Sequence, residues 1–346
     1  MKILHIGYFN DHELGGDIIF AKGLRLNGCD VTEYDYLDLM RKVGRAAADM
    51  RLSELIPGND LIFIGKGHYL ETGTIRRIKT SGIPVALWYG DIRIPIEPWL
   101  KEILSSVDYF FMSSGGDLLR EYKRQGNPCI AAYYFNPSDP DVTEKYAGLI
   151  PPERYPIVMS GSPYGFADHE RLATVRYLRK RRDVRFYGGI EELVWKTNPF
   201  SRVFRKALKV LKLAKSSEWV RGEKYIAAIK SADIGVGVSA FQQIDKYTSD
   251  RMSHYLTLGI FYLPWKFPRI EELFEYGREL VWFEGTIDLD KKITYYLANP
   301  EERLVIARAG RRKMLEEYNT RNITAMMLDV INTGKSDRFP WVEIVS

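Results

Sequence analysis

The sequence predicts an α/β protein made of two Rossmann-like, doubly wound domains that face one another across a cleft. Short apolar strands alternate with helices along most of the chain, which indicates parallel βαβ units. A proline-rich break lies at residues 150–156, and the alternation restarts after it. The length of 346 residues exceeds that of a usual single core. We therefore expect an N-terminal domain over residues 1–152 and a C-terminal domain over residues 153–325.

The first half of the chain has the pattern of a βαβ series. A strand over residues 2–8 is followed by a helix over residues 15–27, which Gly28 closes, and by a second strand over residues 31–36. Further short apolar strands are predicted at residues 61–65, 84–89, 109–113 and 129–134. Ligands of such sheets bind at the carboxyl ends of the strands, so the polar residues after each strand are candidates for substrate contacts.

The second half repeats the alternation and contains the most informative segment of the chain. Strands are predicted at residues 157–161, 184–187, 234–238 and 260–263, with helices at residues 168–180 and 225–231. Thr248, Ser249 and Asp250 are N-cap residue types ahead of a helix from about Arg251 to Leu258, which ends at a glycine, and Pro264 stops the strand that follows. Free amides at this helix start, together with Arg251, suit a diphosphate.

The composition excludes several classes of protein. Hydrophobic residues make up 45% and charged residues 27% of the chain, as in ordinary soluble proteins. Cys29 and Cys129 are too few and too far apart for a disulfide framework or a metal cluster, so we expect no metal site. No signal peptide or apolar stretch of about 18 residues appears, so we expect a cytoplasmic protein. The net charge of +5 permits an anionic partner without requiring one.

One segment of the C-terminal half has a specific resemblance. The order Ser249-Asp250-Arg251, an eight-residue helix to Gly259, an apolar strand, then residues 268–273 and 279–283, resembles the C-terminal domain of GT-B glycosyltransferases. It is most similar to the spore-maturation-protein-like group, related to glycosyltransferase families 1 and 4 and common in bacterial and bacteriophage genomes. The resemblance covers residues 155–325 well, and the first half matches only in its αβ alternation.

The resemblance implies an activity and a donor. It implies a hexosyltransferase-like enzyme that retains anomeric configuration and uses a nucleotide-diphosphate sugar, with a UDP-sugar as the first choice. No metal or other cofactor is expected to be required. The C-terminal residues 326–346 are expected to cross back to the first domain, as in other GT-B proteins. No obligate protein partner is evident, since no heptad or repeat is present.

The donor site is predicted in the C-terminal domain. Arg251 is our candidate for neutralising the departing diphosphate, and its alternative role is a structural ion pair with Asp250. Many retaining GT-B enzymes carry two glutamates eight positions apart, and here Lys246 and His254 occupy those places. His254 is then a candidate for the ribose hydroxyls or an ordinary helix histidine. The full set of predicted donor-binding residues is Gly161, Ser162, Arg171, Tyr187, Gly188, Ser249, Asp250, His254, Glu271 and Glu272, with Arg251 also catalytic.

The acceptor site is predicted in the N-terminal domain. Asp91 follows a predicted strand and is our candidate for orienting or deprotonating the acceptor hydroxyl; the alternative is a surface ion pair with Arg93. The glycines that follow the first strand either present amides to a ligand or serve only a tight helix entry. The predicted acceptor-binding residues are Gly15, Gly16, Asp17, Lys66, His68 and Arg93.

A basic amphipathic helix is predicted between residues 196 and 215, where it looks like an insertion. Its seven positive residues have no acidic residue between them: Lys196, Arg202, Arg205, Lys206, Lys209, Lys212 and Lys215. A basic stripe suits the phosphates of DNA or an anionic membrane surface, and a solvated helix face is the remaining alternative. Together with the resemblance to phage-encoded proteins, it motivates the hypothesis that the acceptor is a 5-hydroxymethylpyrimidine in DNA.

Two other functions remain open at this stage. One is transfer to an envelope or spore-surface polysaccharide, with the basic helix on lipid headgroups. The other is a catalytically silent GT-B protein that binds a nucleotide sugar or nucleic acid, motivated by the replaced glutamates at positions 246 and 254. Donor turnover separates them, because an enzyme slowly hydrolyses its donor without acceptor, whereas a binding protein does not.

Overall fold

The computed structural model describes residues 1–9, 11–163, 169–196 and 217–346. The chain divides into two compact units. The N-terminal unit contains residues 1–139, 244–248 and 317–346, and the C-terminal unit contains residues 140–243 and 249–316. Each unit is a parallel or largely parallel sheet with helices packed on it, so two Rossmann-like units are confirmed.

The N-terminal unit is built on a sheet of seven strands, β1–β6 and β11. The strands are β1 Lys2–Gly7, β2 Asp30–Asp35, β3 Leu61–Gly65, β4 Val85–Tyr89, β5 Tyr109–Met112, β6 Ile130–Tyr133 and β11 Ile344–Val345. The helices are α1 Gly16–Leu26, α2 Tyr36–Val43, α3 Arg45–Leu55, α4 Thr72–Thr80, α5 Pro98–Leu104, α6 Gly116–Gly126 and the late helix α14 Thr320–Thr333. The strand order is β11-β6-β5-β4-β3-β1-β2, with only β11 antiparallel among these strands.

The C-terminal unit is built on a four-stranded parallel sheet in the order β10-β9-β7-β8. Its strands are β7 Tyr155–Ser160, β8 Val184–Tyr187, β9 Ala232–Gly237 and β10 Phe261–Pro264. Its helices are α7 Pro140–Lys145, α8 His169–Leu178, α9 Leu193–Lys196, α10 Glu223–Lys230, α11 Asp250–Thr257, α12 Gly285–Ala298 and α13 Pro300–Glu316. A fully apolar core formed by the strands and by α8, α12 and α13 holds this sheet together.

A buried carboxylate organises the core of the N-terminal unit. Asp17, on the first turn of α1, accepts hydrogen bonds from Trp88 Nε1 at 2.9 Å and from the Tyr8 amide at 2.8 Å, and its Oδ1 lies 3.0 Å from His5 Nε2. The carboxylate packs so closely on β3 that a Cβ atom at Gly65 would lie 1.8 Å from Asp17 Oδ1. A buried carboxylate needs such partners, because leaving it without them is strongly unfavourable.

The last helix returns to the N-terminal unit. Helix α14 packs on α1, where the Thr320 hydroxyl donates to the Ile19 carbonyl at 2.7 Å. Gly23 permits this approach, because a Cβ there would lie 2.5 Å from the Thr320 carbonyl oxygen. The return begins at residue 317, nine residues before the predicted position.

A short segment from the middle of the chain, residues 244–248, also belongs to the N-terminal unit. The Gly115 amide donates to the Asp245 carbonyl at 2.9 Å, and Asn136 Nδ2 donates to the Thr248 carbonyl at 2.9 Å. The Lys246 side chain is buried, with its ammonium 3.3 Å from the Trp341 carbonyl oxygen. The sequence analysis assigned this segment to the second domain, since its local pattern does not show which sheet it contacts.

The division between the units also differs from the predicted linker at residues 150–156, because the grouping changes between Asp139 and Pro140. The residues after α7 are tied to α10, where Lys230 Nζ donates to the carbonyls of Tyr146 at 2.6 Å and Ala147 at 3.0 Å. The proline-rich stretch therefore lies within the C-terminal unit.

Strand β10 begins and ends one residue later than the predicted range of 260–263. Pro264 is its last residue and pairs with Gly237 of β9. Because β10 is an edge strand of this sheet, a proline without an N–H is tolerated there. None of the described helices is both long and apolar enough to cross a membrane.

The tight packing around Asp17 predicts a large effect of one methyl group. Gly65→Ala should destabilise the protein by about 1–3 kcal/mol, because the new Cβ cannot fit without moving the buried carboxylate. Gly73→Ala in α4 is the matched control, since a Cβ there meets nothing within 4 Å. Calorimetric thermal unfolding of both variants checks this prediction, and equal melting temperatures would contradict it.

Candidate functional site

Arg251 joins the ends of two neighbouring strands in the C-terminal unit. Its Nη1 donates to the Ser160 carbonyl at the end of β7 at 2.9 Å, and its Nη2 lies 3.3 Å from the Val238 carbonyl just past β9. Among the described residues, this guanidinium bonds to these two carbonyls and forms no ion pair with Asp250. The side chain is half-buried at the start of α11, where the first amides of the helix are also located.

The glycine turn after β7 makes room for this guanidinium. A Cβ at Gly161 would lie 2.0 Å from Arg251 Nη1 and 3.0 Å from the Ile190 side chain. The Gly161 amide also donates to the Tyr187 carbonyl at 3.0 Å, which ties the turn to the end of β8. Gly161 is thus required for the position of Arg251, a packing role that the sequence alone did not indicate.

The turn after β8 lies against the same place. A Cβ at Gly188 would lie 2.8 Å from the Gly161 carbonyl oxygen, and Gly188 has a left-handed backbone with φ of 77°. The Gly188 amide donates to the Glu218 carbonyl at 2.9 Å, and the Gly189 amide to the Ser217 hydroxyl at 2.7 Å. The two predicted glycines, 161 and 188, therefore allow the backbones of the two turns to lie close together.

Arg171, one of the predicted donor-binding residues, has a structural role. Its side chain is almost fully buried on α8, and its Nη2 donates to the Ser162 carbonyl at 2.7 Å. This contact holds the turn that follows Gly161. Arg171 supports the shape of the turn from behind and does not present its charge at the surface.

His254, on the second turn of α11, contacts a tyrosine. Its Nδ1 lies 3.1 Å from the Tyr225 hydroxyl, and the two rings meet edge to face with centroids 5.6 Å apart. Burial raises the pKa of Tyr225 well above its usual value, so the hydroxyl stays protonated at neutral pH. The next residue, Tyr255, is buried, and its hydroxyl donates to Ser160 Oγ at 3.2 Å.

Among the remaining predicted donor residues, Ser249, Asp250, Glu271 and Glu272 are partly or fully exposed, whereas Tyr187 is buried. Ser249 is the N-cap residue of α11 but makes no side-chain capping bond, and Asp250 is exposed. Glu271 and Glu272 are exposed in a short 3₁₀ turn after β10, where Glu272 pairs with Arg269 at 2.6 Å. The Tyr187 side chain is buried at the end of β8.

The carboxyl edge of the N-terminal sheet brings two predicted acceptor residues together. Lys66 Nζ lies 3.3 Å from Asp91 Oδ2, and both side chains are partly exposed after β3 and β4. Arg93 pairs with Glu97 at 3.1 Å. The ion pair of Asp91 is therefore with Lys66 and not with Arg93, the partner in the predicted alternative. Lys66 has a left-handed backbone with φ of 54°, a strained conformation for a residue with a side chain.

His68 follows on the same loop and lies next to Tyr69, with ring centroids 3.8 Å apart. Partial burial and the Lys66 ammonium lower the pKa of His68, while the Asp91 carboxylate raises it. The neutral imidazole is therefore favoured at neutral pH. It can accept a proton or a hydrogen bond from a hydroxyl.

The glycine-rich start of α1 serves packing. A Cβ at Gly16 would lie 2.7 Å from the Trp88 ring, and one at Gly15 would lie 3.1 Å from the His12 carbonyl. Asp17 is buried in the network with His5 and Trp88 described above. The alternative role of these glycines, a tight entry into helix α1, thus accounts for this motif. The Asp17 carboxylate does not reach the surface.

The predictions of a basic segment and of no metal site have different outcomes. Most of the basic segment lies outside the described residues, namely Arg202, Arg205, Lys206, Lys209, Lys212 and Lys215, and the side chain of Lys196 is also not described. Within the described ranges, no group of three or more histidine, cysteine, aspartate or glutamate residues is placed to hold a metal ion.

Comparisons with known proteins establish the fold. Anabaena Alr3699/HepE, crystallised with UDP-glucose, is 11% identical with a TM-score of 0.63, and the match covers 96% of this chain and 100% of that one. Sucrose-phosphate synthase of Thermosynechococcus elongatus is 14% identical with a TM-score of 0.62, covering 96% and 98%. This chain has the GT-B fold.

The C-terminal half of this GT-B protein also has a match in sequence. Residues 169–329 match the family described as glycosyl transferase-like. That segment contains β8–β10, helices α8–α13 and the first ten residues of α14, and therefore Arg251 and His254. No curated protein sequence matches the chain significantly. The spore-maturation-like group and a phage DNA glycosyltransferase remain hypotheses after these comparisons.

Lys246 and His254, at which the resemblance would place glutamates, have different surroundings. Lys246 is buried in the N-terminal unit, where its ammonium lies 5.6 Å from the centre of the Tyr133 ring. His254 is in the C-terminal unit beside Tyr225. Sequence reasoning missed Tyr225, and only its position as an aromatic residue at the start of α10 could have drawn attention to it.

The charges around His68 predict how its pKa responds to substitution. Lys66→Met should raise the pKa of His68, because a neighbouring positive charge that disfavours the imidazolium is removed. Asp91→Asn should lower it further for the opposite reason. NMR titration of the His68 ring measures both shifts, with Lys22→Met, which removes a lysine paired with Asp139, as the control. Shifts of the opposite sign would contradict the described geometry.

Proposed function

We propose that this protein is a glycosyltransferase that moves a sugar from a nucleotide-diphosphate donor to an acceptor hydroxyl. UDP-sugars are the first donors to test, because the similar Anabaena protein was crystallised with UDP and with UDP-glucose. The observation that carries the proposal is the position of Arg251, whose guanidinium is held between the carboxyl ends of two parallel strands. Ligands of open α/β sheets bind at such strand ends.

Arg251 stabilises the leaving diphosphate in this proposal. Two backbone carbonyls orient its guanidinium, so little reorganisation is needed when negative charge develops on the leaving group. The amides at the start of α11 and the glycine turns at 161 and 188 let a phosphate approach the backbone closely. The chain itself thereby supplies positive charge at the place where the donor bond breaks. We propose no role for a metal ion in this step.

Asp91 orients or deprotonates the acceptor hydroxyl in the N-terminal unit. Its partly exposed carboxylate can accept a hydrogen bond from a hydroxyl, and the Lys66 ammonium lies 3.3 Å away. The neutral His68 imidazole is a second acceptor on the same edge. We propose a retaining outcome on the basis of the resemblance alone.

The Arg251 assignment predicts a loss of donor binding. Arg251→Ala should weaken binding of UDP roughly 10- to 100-fold, because charge-assisted hydrogen bonds of about 1.5–3 kcal/mol are lost. It should also reduce release of UDP from UDP-glucose. Isothermal titration calorimetry and a UDP-release assay measure the two effects.

Two variants serve as controls for this experiment. Arg278→Ala removes an exposed arginine that pairs with Glu275, and Asp91→Asn changes the other unit. Both should leave UDP affinity unchanged. Wild-type affinity in the Arg251→Ala variant would refute the assignment. Saturable UDP-sugar binding by the wild-type chain without any UDP release would instead favour the silent binding protein, for which the replaced glutamates are the motive.

For the acceptor, we propose DNA that carries a 5-hydroxymethylpyrimidine. Seven basic residues without an acidic residue in 196–215 suit a phosphate backbone, and the enzyme would reach the base hydroxyl in the major groove or after base flipping. Transfer to an envelope or spore-surface polysaccharide is the alternative, in which the same charges meet anionic lipid.

Charge reversal separates these acceptors. A Lys206→Glu, Lys209→Glu, Lys212→Glu variant should bind duplex DNA more weakly at low salt and lower the slope of log affinity against log salt by up to about three. The control reverses three exposed lysines of the C-terminal unit, Lys180, Lys224 and Lys291. Unchanged DNA binding, with lost binding to anionic lipid vesicles, would refute the DNA acceptor and favour the polysaccharide enzyme.

A further inference from the structure

An exposed tryptophan lies beside the turn after β8. The Trp219 side chain is 64% exposed, an unusual position for the largest apolar side chain. Its indole packs on the turn, since a Cβ at Gly189 would lie 3.1 Å from Trp219 Cζ2. Neither the sequence analysis nor the proposed function assigns a role to this residue.

The backbone that carries Trp219 is held in place. Glu218 forms a parallel bridge with Tyr187, and its carbonyl accepts the Gly188 amide at 2.9 Å. The Ser217 hydroxyl accepts the Gly189 amide at 2.7 Å, and the Ser217 amide donates to Glu191 Oε1 at 2.7 Å. An exposed aromatic ring on a fixed backbone loses little conformational entropy when a ligand stacks on it.

This ring is near the proposed diphosphate site. Strands β7 and β8 pair at Ser160 and Tyr187, so the Gly161 and Gly188 turns are neighbours, and Arg251 spans β7 and β9. Adjacent strands are about 4.8 Å apart, which puts the turn beside Trp219 roughly 5–10 Å from the guanidinium. A ribose between a base and a diphosphate bridges a separation of this size.

We propose that Trp219 is the surface on which the nucleobase of the donor stacks. The inference rests on the proposed function, because it assigns the base end of the same nucleotide whose diphosphate contacts Arg251. An indole face stacks on any planar base, so Trp219 contributes affinity for the nucleoside, while discrimination between bases falls to polar groups of the neighbouring turns.

Calorimetric titration with two kinds of probe tests the proposal. Trp219→Ala should weaken binding of UDP at least about fivefold and leave the affinity for inorganic pyrophosphate unchanged, because pyrophosphate has no base. Trp219→Phe should lose less, since a smaller aromatic face remains. Arg251→Ala should weaken both probes. GDP, ADP and CDP are titrated in parallel, so that a donor with another base is also detected.

The controls distinguish a failure of the stacking role from a failure of the proposed function. Tyr295→Ala removes another half-exposed aromatic ring of the C-terminal unit, on α12, and should change neither affinity. If the wild-type chain binds a nucleoside diphosphate and the Trp219→Ala variant binds it equally well, the stacking role is overturned but the proposed function is not. An equal loss of pyrophosphate binding in Trp219→Ala would also overturn it, because the change would then act through the turn. Absence of binding of every nucleoside diphosphate to the wild-type chain would overturn both.

Discussion

The Arg251 guanidinium connects three elements of the C-terminal unit: the end of β7, the end of β9 and the start of α11. Its Nη groups bond to the Ser160 and Val238 carbonyls. In this position the guanidinium lies so close to residue 161 that only a glycine fits there. The Gly188 turn in turn packs on the Gly161 carbonyl. The shape of the whole strand edge therefore depends on where this charge is held, and the proposed chemistry uses the same charge.

Close contacts between side chains and glycine backbone recur in the C-terminal sheet. A Cβ at Gly235 would lie 2.2 Å from the Tyr255 ring, and one at Gly237 would lie 1.6 Å from the Tyr262 hydroxyl. These tyrosines are buried, and burial raises the pKa of both hydroxyls, so they remain neutral hydrogen-bonding groups. These tyrosines thus place no competing negative charge in the sheet beneath Arg251.

The N-terminal unit uses a buried charge differently. Asp17 is enclosed by His5, Trp88 and the Tyr8 amide, so its charge maintains the core and is not presented to a ligand. Lys66 and Asp91, by contrast, are partly exposed after β3 and β4. Asp17 and Asp91 therefore differ in burial, a difference that the sequence around each aspartate does not reveal.

Local patterns in the sequence determined the α/β alternation, the two Rossmann-like units and the helix that starts at Asp250 and closes at Gly259, whose φ is 75°. They also singled out Arg251, because N-cap residues and an arginine before an apolar strand are adjacent in the chain. Tertiary structure alone decided that Gly161 accommodates Arg251, that Asp91 pairs with Lys66, that residues 244–248 join the N-terminal unit and that Trp219 is exposed. These features depend on contacts between residues far apart in the chain, which neither periodicity nor capping patterns record.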